Sequence, residues 1–316
     1  ASDVYKRQVY SPIALIGPTA SGKSDLALQL NDIHPIEIIS LDSVLVYKGM
    51  DIGTAKPTDQ MRQTVRHHLI DIISPLENYD AAQFVRDCKK LIREIQQRGH
   101  LPVIVGGTMM YYHALKSGLS YLPGQDTGIR QALQKEKEKQ GLTVLYEKLC
   151  KLDPEAAKRI QPNDSQRIER ALEVYLLSGE KLSNAWQNTQ EPPLDIKTLV
   201  LWPENRKILH EKIAYRFKIM LNTGLIEEVL MLKAAYPTLK ADLPAMRVVG
   251  YRQVWAYIEG QYGFQELVDK GIIATRQLAK RQYTWLKRWT DLKKIDPFEN
   301  NRKRQKEALL RLVDIG

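Results

Sequence analysis

Residues 12–30 read PIALIGPTASGKSDLALQL, and this stretch decides the fold. It begins with a short apolar run, PIALIG, and passes through a glycine-containing turn into a segment with helical spacing from Ser24 to Leu30. The turn matches the pattern G-x-x-x-x-G-K-[ST], in which backbone N–H groups and the positive end of a helix surround an anion. The stretch therefore predicts a phosphate-binding loop between a buried strand and a helix.

The residues of this loop have separate roles in such a site. The glycines let backbone amides turn towards the anion, Lys23 adds a full positive charge, and the Ser24 hydroxyl can hold Mg²⁺. The pattern indicates phosphate or pyrophosphate without saying which compound, and a turn that binds no ligand is the other interpretation. The residues assigned to the phosphate site are Gly17, Pro18, Thr19, Ala20, Ser21, Gly22, Lys23 and Ser24.

The segments that follow repeat the alternation of strand and helix. Two further continuous apolar runs, IEIISL at 36–41 and LPVIVG at 101–106, lie on either side of a stretch with helical periodicity at 82–98. Buried strands that alternate with helices are typical of a parallel sheet with helices on both faces. The fold class predicted is therefore α/β.

The sequence pattern changes after about Gly118. Residues 121–190 are polar and helical and contain no convincing strand, which predicts an all-helical insertion. A strand pattern returns in KTLVLW at 197–202, and we expect helix from about Glu204 onward. The predicted organisation is a first part of the core at 11–120, the helical insertion at 121–190, and core completion with a basic helical part at 191–316.

Two polar residues follow the second and third predicted strands. Asp42 comes directly after IEIISL, and Thr108 follows Gly106 and Gly107. Because ligands bind at the carboxyl ends of strands in open parallel sheets, both side chains should lie beside the phosphate loop. Asp42 could assist Mg²⁺ or act as a general base, and Thr108 could donate to a leaving oxygen. Capping of a helix or turn is the other interpretation of each residue.

Composition favours a polyanionic partner. The net charge is +10, from 47 Lys and Arg against 37 Asp and Glu, which suits nucleic acid or an anionic membrane surface. No run of eighteen apolar residues is present, so we expect no membrane-spanning helix. Cys88 and Cys150 have no metal-binding spacing and indicate a reducing cytoplasm. The pair His67–His68 lacks a second group of ligands and is interpreted as part of a structural turn.

The basic character is strongest at the end of the chain. Residues 271–316 contain twelve Lys and Arg and five Asp and Glu, a net charge of +7. In RQLAKRQYTWLKRW at 276–289, cations are mixed with aromatic residues, a combination that suits phosphate contacts and base stacking. We interpret the charge as a sign of nucleic acid, and Trp285 and Trp289 as residues that pack on the core.

An ordered set of motifs resembles one enzyme family over most of the chain. The segments GPTASGKS, DSVLVYKGMDIGTAKP, HHLIDI, GGTMMYYHAL, NDSQRIERALEVY, VVGYRQVW and RQLAKRQYTWLKRW occur in the order found in tRNA dimethylallyltransferases, also called tRNA isopentenyl transferases. The resemblance runs from about Ile13 to Trp289. It implies a P-loop kinase-like core with an inserted helical domain, and a transfer of dimethylallyl from dimethylallyl pyrophosphate to N6 of adenosine 37 in tRNA, with Mg²⁺.

The resemblance also implies roles for individual residues. The loop Gly17–Ser24 would hold the donor's pyrophosphate with Mg²⁺ on Ser24, Asp42 would accept the N6 proton, Thr108 would contact the reacting region, and Arg216 would neutralise the leaving pyrophosphate. The implied contacts to the tRNA anticodon stem-loop are Asp42, Ser43, Val44, Leu45, Thr108, Arg130, Gln166, Arg167, Ile168, Glu169, Arg170, Arg247, Val248, Val249, Gly250, Tyr251 and Arg252. Many members have Gln where Leu45 stands, and residues 1–10 match nothing in the family.

Three other functions stay open at this point. An adenylate isopentenyltransferase would share the core, but a free nucleotide needs neither the helical insertion nor the basic C-terminal helices. A P-loop kinase acting on a small metabolite and an RNA-binding protein with a vestigial loop are the others. Intact Lys23, Ser24 and Asp42 argue against a vestigial loop. We expect a monomer without a membrane partner.

Overall fold

The computed structural model describes residues 10–120, 122–186, 189–299 and 302–313. The strands are β1 (Ile13–Ile16), β2 (Ile36–Leu41), β3 (His67–His68), β4 (Leu101–Gly106), β5 (Leu119–Ser120), β6 (Thr189–Glu191), β7 (Lys197–Leu201) and β8 (Lys293–Ile295). The first helices are α1 (Lys23–Leu30), α2 (Asp59–Thr64), α3 (Ala81–Gln97), α4 (Met109–Ser117), α5 (Thr127–Gln140), α6 (Leu142–Leu152) and α7 (Pro154–Arg159). The remaining helices are α8 (Ser165–Ser178), α9 (Leu182–Ala185), α10 (Arg206–Asn222), α11 (Leu225–Ala235), α12 (Tyr251–Ile258), α13 (Phe264–Leu286) and α14 (Arg302–Val313).

The main sheet is parallel and has the order β3-β2-β4-β1-β7-β8 among the described strands. Gly106 at the end of β4 is level with both Ile16 of β1 and Leu41 of β2. The loops that begin at Gly17, Asp42 and Gly107 therefore leave the sheet at one edge and at one height. The predicted α/β fold class with a parallel sheet is confirmed.

Local sequence explains why these elements form. Each residue of β1, β2 and β4 is buried, as expected for strands whose two faces are both covered. Helix α3 begins with a reciprocal capping box between Asp80 and Gln83, and the chain leaves it at Gly99 in a left-handed conformation. Helices α1, α3 and α14 all contact strands of the sheet. Within the described ranges, no helix is long and apolar enough to cross a membrane.

The chain divides into two compact units. One comprises residues 1–114 and 195–316 and holds the sheet, and the other comprises residues 115–194. The second unit is built on α5–α9, whose buried residues include Leu145, Leu149 and Ile168. It also contains β5 and β6, which pair antiparallel. The expectation of no strand within 121–190 was therefore wrong at Thr189 and Gln190, because a pairing of two or three residues leaves no alternation in the sequence.

Two further short strands depart from the expectations. Helix was predicted throughout from about Glu204, but β8 lies beside β7 at the edge of the sheet, with Leu201 level with Ile295. Two of its three residues are exposed, so it leaves no apolar run. The pair His67–His68 was predicted as a turn and instead pairs with β2, where His68 Nε2 lies 2.6 Å from Glu37 Oε2. The turn follows it, at Leu69 and Asp71, both with positive φ.

Candidate active site

A cavity of about 560 Å³ lies at the carboxyl edge of the main sheet. The phosphate loop follows β1, Asp42 follows β2 and Thr108 comes shortly after β4. Helix α10 contributes Arg216. Every residue that lines this cavity belongs to the unit that holds the sheet. The side chains that the sequence placed on one edge therefore line one common space.

The phosphate loop has the backbone that an anion site requires. Ala20 and Gly22 have φ of 61° and 82°, and Gly22 caps helix α1, which starts at Lys23. Gly17 has no room for a side chain, since a Cβ there would lie 2.7 Å from the Leu201 carbonyl oxygen. Lys23 Nζ donates to the Pro18 carbonyl oxygen at 2.7 Å, so the ammonium folds back over the loop. The loop is thus preformed around its own lysine.

Three charged groups face one another across the cavity. Burial lowers the pKa of Lys23 to about 7, although attraction to Asp42 raises it, and repulsion from Arg216 lowers it further. Burial raises the pKa of Asp42, although the Val44 amide and the two cations oppose that change. Burial also lowers the pKa of Arg216. Two cations and one carboxylate, all desolvated, form a site in which each charge depends strongly on its neighbours.

Thr108 holds the Asp42 loop in place. Its hydroxyl accepts a hydrogen bond from the Ser43 amide at 3.0 Å, and its own amide donates to the Leu41 carbonyl at 3.1 Å. Asp42 Oδ1 in turn accepts from the Val44 amide at 3.0 Å. The carboxylate therefore has a fixed orientation in the wall of the cavity.

Glu228, on helix α11, is a residue that sequence reasoning missed. Its carboxylate is only 4% exposed and accepts from the amides of Asp51, Ile52 and Gly53 at 2.9, 2.7 and 3.2 Å. It also accepts from the Tyr251 hydroxyl. The bond to Gly53 reaches the segment 53–55 that lines the cavity, and Tyr251 follows the lining residue Gly250. The sequence does not distinguish Glu228 from Glu227, because the two are adjacent acids in the same apolar helix.

A Glu228→Gln variant is expected to lose about 2–3 kcal/mol of unfolding free energy. The amide would turn an N–H group towards backbone donors, and one or more of the three amides would stay buried without an acceptor. Chemical denaturation measures the loss. Glu227→Gln, its neighbour, is the matched control and should unfold like the wild type, whereas equal stability of both variants would contradict the role given to Glu228.

Two side chains among the implied tRNA contacts are buried. Ile168 lies in the core of the second unit, and Tyr251 lies in the core of the first with its hydroxyl on Glu228. Neither side chain is open to a partner in this structure, because a motif that spans a helix includes residues from its buried face, and their contact with tRNA stays a prediction. Gln166, Arg167, Arg247 and Arg252 are exposed, and Val248 and Val249 line the cavity.

The two arginines Arg130 and Arg170 share one acid inside the second unit. Arg130 Nε lies 2.8 Å and Arg170 Nη1 lies 2.6 Å from the carboxylate of Glu173, which is buried. The Arg130–Glu173 pair and the Lys137–Glu169 pair at 2.6 Å hold α5 against α8, whereas the Arg170–Glu173 pair lies within α8. Arg130, Glu169 and Arg170 therefore have structural partners, and their contact with tRNA stays a prediction.

The basic helix α13 reaches the cavity. Leu278, Arg281 and Trp285 of this helix line it. Trp285 is half-buried against His113, and Trp289 packs edge-on against Tyr112 with ring centroids 4.8 Å apart. Trp285 thus joins α13 to α4 and also contributes to the wall of the cavity, and Trp289 packs on α4 just after the end of α13.

The family follows from comparison with known proteins. A family model described as IPP transferase matches residues 45–289. This chain belongs to the IPP transferase family. The resemblance carried by the sequence motifs is confirmed, and the chain is an enzyme of the prenyl-transferring class.

Relatives of this IPP transferase family member are similar over nearly their whole length. A tRNA dimethylallyltransferase of Neisseria meningitidis serogroup C (strain 053442) is 56% identical over 290 residues, which cover 91% of this chain and 92% of the relative. One of Legionella pneumophila (strain Corby) is 51% identical over 276 residues, or 87% of this chain and 88% of the relative.

Solved structures extend the family likeness to the fold. A full-length tRNA isopentenylpyrophosphate transferase of Bacillus halodurans is 33% identical with a TM-score of 0.67, covering 96% of this chain and 95% of that one. A eukaryotic dimethylallyltransferase acting on tRNA is 26% identical with a TM-score of 0.80, covering 95% of this chain and 78% of that one.

Proposed function

We propose that this enzyme transfers a dimethylallyl group from dimethylallyl pyrophosphate to N6 of adenosine 37 in tRNA, in the cytoplasm and as a monomer. The observation that carries the proposal is the convergence of the phosphate loop, Asp42 and Arg216 on one cavity. The names of the relatives, tRNA dimethylallyltransferases of matching length, support the same reaction. The net positive charge suits a folded RNA substrate.

The chemistry sets three tasks for the site. The exocyclic amine of adenine is a weak nucleophile because its lone pair is delocalised into the ring. An allylic pyrophosphate compensates for this weak nucleophile, because its pyrophosphate leaves readily and the positive charge that remains on the allyl group is stabilised. The site must neutralise charge on the leaving pyrophosphate, remove the N6 proton and exclude water from the allyl group.

The first task falls to the loop and two cations. The amides of the loop and the start of α1 provide an anion cradle, and Lys23 and Arg216 add two positive charges to the same cavity. Arg216 is held in an environment of low polarity, where its charge acts strongly on a nearby anion. As the bond to the allyl group breaks, the charge that develops on the pyrophosphate is met by groups already in place.

The residues present fit a role for Mg²⁺. Ser24 and Asp42 bring a hydroxyl and a carboxylate to the cavity, and Mg²⁺ prefers oxygen ligands and takes only one or two from the protein when substrate phosphates supply the others. In the described part of the chain there is no group of three His, Cys, Asp or Glu that forms a separate metal centre. Bound through Ser24 and phosphate oxygens, the ion would add positive charge to the leaving group.

The second task falls to Asp42. Burial raises its pKa, which makes its carboxylate a stronger proton acceptor once it is ionised. One oxygen is held by the Val44 amide, and Thr108 fixes the loop through the Ser43 amide. The target base must leave the stack of the anticodon loop to reach Asp42, as for other enzymes that modify bases. Thr108 and the segment 42–45 line the space it would enter.

One assay tests the proposal against the other functions. The enzyme is incubated with Mg²⁺ and labelled dimethylallyl pyrophosphate, and either tRNA or AMP is offered as acceptor. We expect label in tRNA, at the adenosine next to the anticodon, and none in AMP. Label in AMP alone would assign the chain to the free-nucleotide prenyltransferases, and label in neither acceptor would favour the kinase or the RNA-binding function.

We expect kcat/KM for dimethylallyl pyrophosphate to fall above about pH 7 with a slope of −1 on logarithmic axes. The pKa of Lys23 in the free enzyme is lowered to about 7, so the protonated form that attracts pyrophosphate declines as pH rises through that value. At saturating donor the bound pyrophosphate raises this pKa again, and kcat should not fall over the same range. Initial rates measured across the pH range, at low and at saturating donor, check the expectations for kcat/KM and for kcat.

The matched variant is Lys23→Arg, whose guanidinium stays protonated. It should remove the alkaline fall in kcat/KM whatever its absolute rate. A wild-type profile that is flat from pH 6 to about 9 would contradict the pKa assigned to Lys23.

A further inference from the structure

Gln282, in the middle of helix α13, uses both ends of its amide on backbone groups of the site. Its Oε1 accepts from the Thr19 amide at 2.8 Å, and its Nε2 donates to the Gly107 carbonyl oxygen at 2.8 Å. The side chain is only 8% exposed. Thr19 belongs to the phosphate loop after β1, and Gly107 belongs to the turn after β4, so one side chain joins two loops of the cavity.

This bridge continues to the proposed proton acceptor. Gly107 precedes Thr108, whose hydroxyl accepts from the amide of Ser43, and Ser43 follows Asp42. Hydrogen bonds and single peptide links therefore connect the loop that holds the donor with the carboxylate that meets the acceptor. Gln282 therefore links the two loops directly, in addition to the sheet beneath them.

Glutamine fits this place for two reasons. An amide carries an acceptor and a donor on adjacent atoms, which an acid, an amine or an apolar side chain of the same length does not. The fit at Gly107 is also close, because a Cβ there would overlap Gln282 Nε2. The contact requires both a glutamine on α13 and a glycine in the turn.

We propose that Gln282 is a positioning residue that sets the phosphate loop and the Gly107–Thr108 turn relative to each other, so that donor and acceptor base meet in a reactive arrangement. This inference rests on the proposed function, since it assigns the two loops to the two substrates. Arg281 and Trp285 on the same helix line the same cavity. The hydrogen bonds of Gln282 therefore also fix which face of α13 lines the cavity.

Two substitutions at Gln282 separate its two bonds. Gln282→Glu keeps the size and the acceptor for the Thr19 amide, but it repels the Gly107 carbonyl and places a negative charge beside the phosphate loop. Gln282→Met removes both bonds at nearly constant volume. Gln265→Met on the same helix is the control, because Gln265 is exposed and, among the described residues, its amide bonds with Asp269.

The experiment measures binding and turnover separately. The Kd of inorganic pyrophosphate with Mg²⁺ is determined by calorimetry, and kcat and KM are determined with dimethylallyl pyrophosphate and tRNA. In Gln282→Glu we expect the pyrophosphate Kd to rise about tenfold, and in both variants kcat to fall about tenfold while KM for tRNA stays unchanged. The Gln265→Met control should match the wild type in every value.

The outcomes distinguish the inference from the proposed function. A wild-type protein that binds no pyrophosphate would remove the proposed function itself. Normal pyrophosphate binding and normal kcat in both Gln282 variants would overturn the inference alone, as would a rise confined to KM for tRNA. A purely structural role would lower Tm without changing kcat of the folded enzyme, and that result would also overturn it.

Gly107→Ala is an independent variant should the Gln282 substitutions unfold the chain. The added Cβ displaces Nε2 of Gln282, so it should reproduce the loss of kcat. Combined with Gln282→Met, the two losses should not add, because both remove the same contact. Additive losses would overturn the proposal.

Discussion

An Asp42→Asn variant is expected to lose about a thousandfold in kcat while binding dimethylallyl pyrophosphate at least as well as the wild type. Asparagine keeps the shape of the side chain and its bond to the Val44 amide, but it cannot accept the N6 proton. Removal of the negative charge also leaves Lys23 and Arg216 less compensated, which favours an anionic donor. Single-turnover rates and a donor titration measure the two effects separately.

The matched control for this substitution is Asp59→Asn. Asp59 is an exposed carboxylate at the start of α2 and lies outside the cavity lining, so this variant should keep full turnover. Asp42→Ala should lose turnover to a similar degree. Unchanged kcat in both Asp42 variants would falsify its assignment as the proton acceptor.

An Arg216→Met variant is expected to lower kcat/KM for the donor by about two to three orders of magnitude. Together with Lys23, the guanidinium brings positive charge to the cavity beside the phosphate loop, in surroundings where it is poorly solvated. Its loss weakens donor binding and leaves charge on the departing pyrophosphate unmet, so both KM and kcat should change. Steady-state kinetics with varied donor at saturating tRNA measure both.

A second expected result for Arg216→Met concerns the pH dependence of kcat/KM. Arg216 lowers the pKa of Lys23 by repulsion, so its removal should raise that pKa and move the alkaline fall in kcat/KM to higher pH. Lys218→Met, which removes an exposed cation two residues further along α10, should leave both the rate and the pH profile unchanged. A profile that does not move in Arg216→Met would contradict the electrostatic coupling of the two cations.

Hydrogen bonds between distant segments explain what sequence reasoning missed. Gln282 and Thr19 are 263 positions apart, and Glu228 and Asp51 are 177 apart. Neither residue has a local pattern that marks it, since a glutamine in a basic helix and an acid in an apolar one have many ordinary explanations. The burial of Ile168 and Tyr251 was also not apparent from the sequence, because membership of a motif does not tell a buried helix face from an exposed one.

The sequence by itself determined the phosphate loop at Gly17–Ser24, the three buried strands around it and the family, because these are written in short contiguous patterns of glycine, lysine and apolar residues. From the strand ends it also placed Asp42 and Thr108 beside the loop, since parallel strands present their carboxyl ends at one edge. The tertiary structure alone decided that Lys23, Asp42 and Arg216 are desolvated together, and that Gln282 and Glu228 hold the walls around them. Burial and hydrogen bonding depend on which segments meet in space, and residues far apart in the chain acquire these properties only when it folds.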